Sequence, residues 1–134
     1  MSLPLHSTLG HLRLLSTYIY YDQPSLFSCE NQEGQMFIAV WVDRLEEGDT
    51  FLYAPVSPER LQSFLDGRID VRSAFEHTES GSIFKVMVPF SNLPANAVSI
   101  LCEDLDKEDL PEPGITMQVE KPAGAGKSLL QSNQ

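Results

Sequence analysis

The sequence predicts an α+β domain, an antiparallel β-meander sheet of five or six strands with two short helices packed on one face. Short runs rich in β-branched and aromatic residues follow one another from residue 12 to residue 56, separated by Pro, Gly and polar residues. Two helix-start signals come next, at Ser57 and at Asp70. A run of strands followed by helices is typical of the α+β class.

The first part of the chain predicts two strands joined by a tight reversal. Residues 8–15 begin either a strand or a short helix, because their leucines stand at both alternate and adjacent positions. Residues 16–21 are strongly strand-like and are stopped by Asp22-Gln23-Pro24. Residues 25–30 form a second strand, and the loop 31–34, with its late Gly34, has the length of a hairpin connection.

The next two strands are predicted to form the middle of the sheet. Residues 35–43 are apolar on both faces, as a central strand covered on two sides is. Residues 49–56 form the following strand, in which Phe51 and Tyr53 alternate with other apolar residues. Pro55 is expected to end its ladder, because proline has no N–H to donate.

Two brief helices are predicted after residue 56. Ser57 supplies a hydroxyl N-cap, Pro58 occupies the first helical position, and Gly67 ends the helix. Asp70 caps a second helix. Each helix carries one apolar stripe at helical spacing; the stripes are Leu61, Phe64 and Leu65 in the first helix and Val71, Ala74 and Phe75 in the second.

The rest of the chain predicts two further strands and an acidic segment. Residues 83–88 alternate as a strand that Pro89 closes. Residues 97–102 are predicted as a strand on their Val and Ile content, the alternative being a helix capped near Asn92. Residues 103–112 hold six acids and one lysine. This decapeptide therefore supplies half of the net charge.

Length and charge bound the organisation and the partners. The 134 residues are one domain's worth of material, predicted as residues 9–115, between a disordered or vector-derived start at 1–8 and a disordered tail at 116–134. A formal net charge of −10 argues against long-range attraction to nucleic acid or to an anionic membrane. With no signal peptide, no long apolar run and only two cysteines, the sequence predicts a cytoplasmic protein.

No motif in the sequence predicts a reaction, a metal or a cofactor. Residues 124–128 end like a phosphate-binding loop, but Lys121 stands where that pattern needs its first glycine. Cys29 is a nucleophile candidate only if one of the three histidines lies beside it; these are His6, His11 and His77. The acids from Asp104 onward alternate like the start of a calcium loop, without its glycine and its last glutamate.

Two groups of residues are the predicted interaction sites. Tyr and Trp are over-used at protein interfaces, and the strand aromatics are Tyr18, Tyr20, Tyr21, Trp41 and Tyr53. The acidic candidates are Glu103, Asp104, Asp106, Glu108 and Asp109. The leading hypothesis is a non-enzymatic protein-interaction module. The alternatives are an acidic inhibitor that mimics nucleic acid toward a basic protein surface, and a small Cys-dependent enzyme.

Five stretches of the sequence resemble a family of small bacterial proteins of unknown function. The resemblance covers about residues 9–115, and the stretches that carry it are residues 20–31, 39–43, 49–57, 67–72 and 110–114. The resemblance implies a bacterial or phage-borne, cytoplasmic, single-domain protein. It implies no catalytic or ligand-binding residue, so activity is left open.

Overall fold

A computed structural model describes residues 9–21, 23–91, 93–106, 108, 110, 111 and 113–117. The elements in chain order are β1 (Leu12–Tyr21), β2 (Gln23–Asn31), β3 (Met36–Arg44), β4 (Gly48–Val56), α1 (Pro58–Leu65), α2 (Val71–Glu76), β5 (Ser82–Pro89) and β6 (Asn96–Leu101). A 3₁₀ turn, Cys102–Asp104, follows β6.

The six strands form one antiparallel sheet in chain order, from β1 at one edge to β6 at the other. Although α1 and α2 separate β4 from β5 in the chain, these two strands pair directly, with Leu52 opposite Lys85 and Tyr53 opposite Phe84. The predicted α+β meander is therefore confirmed. The two helices pack over one face of the sheet between β4 and β5, and the chain then returns to the sheet as β5, next to β4.

The ambiguous segments at the two edges of the sheet are both strands. β1 begins at Leu12, so the leucine-rich start belongs to a strand and not to a helix. β6 spans Asn96–Leu101 and lies one residue earlier than predicted, because Cys102 opens the 3₁₀ turn. Residues 8 and 22 lie outside the described part of the chain.

Pro55 does not end the ladder between β3 and β4, contrary to the sequence prediction. It lies within β4, opposite Phe37 of β3. The register of β4 with β5 stops at Tyr53, so Pro55 lies beyond the part of β4 that β5 pairs with. A residue without an N–H is tolerated there because no strand on that side requires a donor.

Both helix starts form as predicted. The Ser57 hydroxyl accepts a hydrogen bond from the Arg60 N–H at 3.1 Å, and the Asp70 carboxylate accepts one from the Ser73 N–H at 2.7 Å. Each bond satisfies one backbone donor that the first helical turn leaves free. The Arg60 side chain donates to the carbonyl oxygens of Ser73 and His77, which joins α1 to α2.

Apolar side chains form a core on each face of the sheet. On the helix-bearing face, Phe64 and Phe75 pack against strand residues such as Leu52. The opposite face buries an aromatic cluster, in which the Phe27 ring meets the Phe51 and Tyr53 rings edge-on at 5.9 and 6.0 Å. β3 supplies both cores, as predicted for a central strand, with Ile38 on the helix side and Phe37 and Ala39 on the other.

The end of the described chain packs on the helix-bearing face. Thr116 forms an isolated bridge with Asp70, and Met117 is buried. The structure therefore continues two residues beyond Ile115, where the sequence placed the domain boundary. The predicted start at 1–8 and the tail from 118 onward lie outside the described residues. None of the described helices has the length and apolar character needed to cross a membrane.

Candidate functional site

The predicted interaction residue Tyr53 lies in the core. It is 1% exposed, and its ring meets those of Phe27, Phe37 and Phe51 at centroid distances of 6.0, 6.1 and 6.4 Å. Burial raises the pKa of Tyr53 well above its usual range, because the phenolate would lose its hydration. Tyr53 therefore stabilises the fold and offers no surface to a partner.

Tyr18 lies at the boundary between core and surface. Its hydroxyl is 2.8 Å from the Ser28 Oγ, and its ring meets the Phe64 ring edge-on at 6.2 Å. Partial burial raises the pKa of Tyr18. This side chain links β1 to both β2 and α1. The side chains of Tyr20 and Tyr21 lie outside the part of the chain that the structure describes.

Trp41 is held at one end of the sheet by a group of ordered side chains. Its indole Nε1 donates to the Asp43 carbonyl oxygen at 2.9 Å. The Arg44 guanidinium lies 4.8 Å from the centre of the Trp41 ring and 5.5 Å from that of Phe90. Arg44 also donates to both carboxylate oxygens of Asp49, at 2.7 and 3.1 Å. The bidentate ion pair with Asp49 fixes the Arg44 guanidinium, which contacts both the Trp41 ring and the Phe90 ring.

Three large apolar side chains are exposed at this end of the sheet, and we call them the apolar tip: Leu45, Phe90 and Leu93, which are 42%, 58% and 68% exposed. The loop between β5 and β6 meets the turn between β3 and β4 here, since the Phe90 N–H donates to the Glu47 carbonyl oxygen at 2.9 Å. Exposed apolar side chains grouped on one surface mark interaction sites more often than scattered ones do.

The interaction residues inferred from the sequence do not include the apolar tip. The available signal was the loop composition, because Phe90 and Leu93 stand between Pro89 and Pro94, in a segment that no strand pattern covers. Aromatic character alone does not distinguish Tyr53, which the sheet buries, from Phe90, which it leaves outside.

A groove of about 340 Å³ adjoins the apolar tip. It lies on the helix-bearing face, because Lys85 is opposite Leu52 and Val98 is opposite Lys85, and residues directly opposite share a face. The lining residues are Leu45, Thr50, Lys85, Met87, Asn96, Val98 and Ile100. The groove thus runs from the tip to the edge strand β6.

The acidic segment is fixed to the fold rather than detached from it. Leu105 and Leu110 are buried in the helix-side core. The carboxylates exposed between them and beside them form the acidic ridge: Glu103, Asp104, Asp106 and Glu108. Within the described residues these four carboxylates make no ion pair. The fifth predicted acid, Asp109, lies outside those residues.

Asp70 ties the segment that follows the acidic ridge to α2. Besides capping α2, its carboxylate accepts a hydrogen bond from the Gly114 N–H at 2.8 Å. The Val71 N–H donates to the Ile115 carbonyl oxygen at 2.7 Å. Hydrogen bonds from Ser73 and Gly114 lower the pKa of Asp70, because they stabilise its charged form. One carboxylate therefore holds both a helix terminus and residues 113–117.

This lowered pKa makes the stability contributed by Asp70 depend on pH. The contribution is fully present above the ordinary aspartate pKa of about 3.9, and it is lost as pH falls through the lower folded-state pKa. We expect Asp70→Asn to be less stable at neutral pH and to lose less stability than the wild type on acidification below about pH 4. Urea unfolding across pH 2–7 measures this. Glu46→Gln, which removes an exposed carboxylate, is the control, and parallel curves for all three proteins would contradict the assignment.

The structure gives the Cys29 thiol hypothesis no support. Cys29 is fully buried between Leu14 and Phe37 of the adjoining strands, and burial raises its pKa to about 12. A thiol with so high a pKa is a poor nucleophile near neutral pH. His11 and His77 are exposed and His6 lies outside the described residues, as do residues 124–128. The described residues contain no group of three or more metal-binding side chains suited to an ion.

Comparison with known proteins identifies a family. The model of a family of unknown function, DUF6575, matches residues 1–128. This span includes all six strands, both helices and the acidic ridge. Neither the curated proteins nor the solved structures contain a match to the chain.

Proposed function

The chain belongs to the DUF6575 family of unknown function, and we propose that it is a non-enzymatic protein-interaction module that docks a partner protein on the apolar tip. The observation that carries the proposal is the exposure of Leu45, Phe90 and Leu93 at the same end of the sheet. Leaving such side chains in water brings no folding benefit. A partner that covers them gains the burial instead.

The surroundings of the tip indicate the chemistry of the partner. Asp43, Glu46 and Glu47 are exposed beside Leu45, whereas the nearby cation Arg44 is already paired with Asp49. An interface commonly has an apolar centre and a polar rim. We therefore infer a partner that offers apolar side chains ringed by Lys or Arg. The net charge of −10 would speed its approach at low salt.

Affinity purification from the native host tests this function. Three baits are used separately: the wild-type chain, the double variant Phe90→Ser/Leu93→Ser, and the control Ile115→Ser. The control removes a 37% exposed side chain outside the tip. We expect the same protein to be recovered by the wild type and the control. Binding of that protein to the tip variant should be at least about thirty-fold weaker, corresponding to a loss of about 2 kcal/mol for central interface residues.

Two results would reject the proposed docking. One is that the wild type recovers no reproducible protein partner. The other is that the tip variant, shown by circular dichroism to be folded, binds the recovered partner as tightly as the wild type. The source that we propose for the chain is the cytoplasm of a bacterium, and extracts of such a host are the material for the experiment.

The acidic ridge supports a second candidate, an acidic inhibitor that binds a basic protein surface as nucleic acid would. Burial of Leu105 and Leu110 holds the ridge in a fixed shape, and its carboxylates are exposed. Neutralising the six acids of residues 103–112 is expected to abolish a salt-sensitive interaction while the fold survives. Unchanged binding by that variant would exclude the ridge and leave the tip as the docking surface.

A further inference from the structure

The groove beside the apolar tip has the composition of a small-molecule site. Its volume of about 340 Å³ is at the lower end of the range found for ligand pockets. Such pockets are lined mainly by apolar side chains, with a few polar groups that fix the orientation of the ligand. The groove follows this pattern: Leu45, Met87, Val98 and Ile100 are apolar, and Thr50, Lys85 and Asn96 are polar.

The strand register brings the three polar residues together. On the helix-bearing face, Thr50 of β4 lies opposite Met87 of β5, and Met87 lies opposite Asn96 of β6. Lys85 stands two residues before Met87, so it is a diagonal neighbour of both Thr50 and Asn96, with Cα atoms about 7–8 Å away. A lysine side chain is long and flexible enough to cover this distance. One ligand group can therefore contact all three side chains.

Lys85 supplies a cation that the fold does not pair. It is exposed, and its ammonium group makes no ion pair or hydrogen bond with the described residues. None of the residues that line the groove is acidic. Asp49, next to Thr50, lies on the opposite face of β4 and is paired with Arg44. Although the whole chain has a net charge of −10, the groove itself favours a ligand with one negative charge.

Thr50 is a second polar group without a partner. It is 6% exposed, and its hydroxyl makes no hydrogen bond within the part of the chain that the structure describes. A hydroxyl removed from water without a partner costs free energy, which a hydrogen bond to a ligand would recover. The Thr50 hydroxyl and the Asn96 amide can both donate to carboxylate oxygens. With Lys85, the polar end of the groove thus offers three donors.

An apolar track leads away from this polar end along β6. Val98 and Ile100 follow Asn96 at alternate positions and share its face. Val98 is 54% exposed, so it can still bury apolar surface against a ligand. From Asn96 to Ile100 the track is roughly 13 Å long at about 3.3 Å per residue. An aliphatic chain that lies on it would be removed from water.

We propose that the groove binds a medium-chain aliphatic carboxylate. The carboxylate accepts hydrogen bonds from Lys85, Thr50 and Asn96, and the aliphatic chain lies on Val98 and Ile100. A volume of about 340 Å³ holds roughly eleven non-hydrogen atoms at about 30 Å³ each, which is the size of octanoate. The groove shares Leu45 with the apolar tip, but the proposal does not depend on the proposed function.

Titration of the ¹⁵N-labelled full chain with octanoate tests the proposal by NMR. We expect saturable shifts of the Thr50, Lys85 and Val98 amide signals, with a dissociation constant in the millimolar range or below for so small a ligand. Octan-1-ol keeps the chain without the charge, and acetate keeps the carboxylate without the chain. Octan-1-ol is expected to bind at least about ten-fold more weakly, because it loses the hydrogen bonds made to a charged group. Acetate, without the apolar contacts, is expected to give no saturable shift.

Three variants locate the bound carboxylate. Lys85→Met keeps the apolar stem and removes the charge, so octanoate affinity should fall at least about ten-fold while octan-1-ol affinity stays unchanged. Thr50→Val replaces the hydroxyl by a methyl group and should weaken octanoate binding by about three- to ten-fold. The matched control is Arg68→Met, which removes an exposed cation outside the groove and should leave octanoate binding unchanged.

The same titrations can overturn the proposal. If octan-1-ol binds the wild type as tightly as octanoate does, the groove is apolar without recognising an anion. If Lys85→Met and Arg68→Met weaken octanoate binding equally, only the general charge of the chain matters. An absence of saturable shifts in the wild type would exclude the site. The amide spectrum of each variant shows whether it is folded, and Lys85→Met, at an exposed position, decides the result even if Thr50→Val alters the fold.

Discussion

Replacement of Phe64 by alanine is expected to lower the free energy of unfolding by about 3–5 kcal/mol, the range typical of buried Phe→Ala changes. Phe64 is 0% exposed and lies in the helix-side core, where Tyr18 meets its ring. The change removes apolar contacts and leaves a cavity between α1 and the sheet. Since a domain of this size is commonly stable by only 5–15 kcal/mol, a large share of the total would be lost.

Phe90→Ala is the matched control, because the same atoms are removed from an exposed position. Phe90 is 58% exposed, and its described interaction is with the Arg44 guanidinium at 5.5 Å. We expect Phe90→Ala to lower the free energy of unfolding by less than about 1 kcal/mol, the size of an exposed cation–π contact. Urea unfolding of the wild type, Phe64→Ala and Phe90→Ala measures the loss in the free energy of unfolding for each variant. Equal losses for Phe64→Ala and Phe90→Ala would contradict the assignment of core and tip.

Replacement of Gly67 by alanine is expected to lower the free energy of unfolding by about 2–5 kcal/mol, through two separate effects. The backbone of Gly67 has φ +78°, a region that costs an L-residue roughly 1–2 kcal/mol. A Cβ at this position would also lie 2.6 Å from the Met117 carbonyl oxygen. That contact is with backbone and cannot be relieved by a side-chain rotation, and such overpacking costs about 1–3 kcal/mol.

Gly34→Ala separates the two effects. Gly34 has a similar φ of +88°, but a Cβ there meets nothing within 4 Å. We therefore expect Gly34→Ala to show the conformational cost alone, about 1–2 kcal/mol. Urea unfolding measures both variants, and the additional loss in Gly67→Ala reports the close approach of residues 116 and 117 to the helix layer. If the two losses are equal, this approach does not contribute to stability.

The Gly67 contact bears on function because it helps to fix the chain beyond the acidic ridge. Leu105 and Leu110 anchor the ridge itself, and Asp70 holds Gly114. With Met117 against Gly67, the segment is attached at several points along its length. A basic partner would therefore meet carboxylates in a preformed arrangement, and little ordering entropy would be lost on binding. This rigidity is the feature that separates the ridge from a solvated acidic tail.

Local chemistry explains why much of the fold was predictable. Ser57 and Asp70 cap their helices because a side-chain oxygen satisfies a backbone donor two or three residues away, which needs no knowledge of the rest of the chain. β3 is recognisable as central because its residues are apolar on both faces. Pro55 failed as a stop signal, because the effect of a missing N–H depends on whether a neighbouring strand needs it.

The candidate site was far less predictable. Tyr53 and Trp41 both stand at apolar positions of strands, yet the structure buries the first fully and the second only partly, beneath Arg44. Their difference arises from what other segments place over them. Phe90 and Leu93 gave little signal for the same reason, since a loop residue is exposed or buried according to neighbours that are distant in the chain.

Local sequence patterns specify the elements of this protein: the strand runs, the two capped helices, the acidic decapeptide and the α+β class. These depend on periodicity, capping and composition, which act over a few residues. The assembled fold sets which side chains remain outside the core, that β5 returns to β4 across the helices, and that β1 and β6 form the two edges of the sheet. Such features depend on contacts between distant segments, and burial is a property of the assembled fold rather than of a residue type.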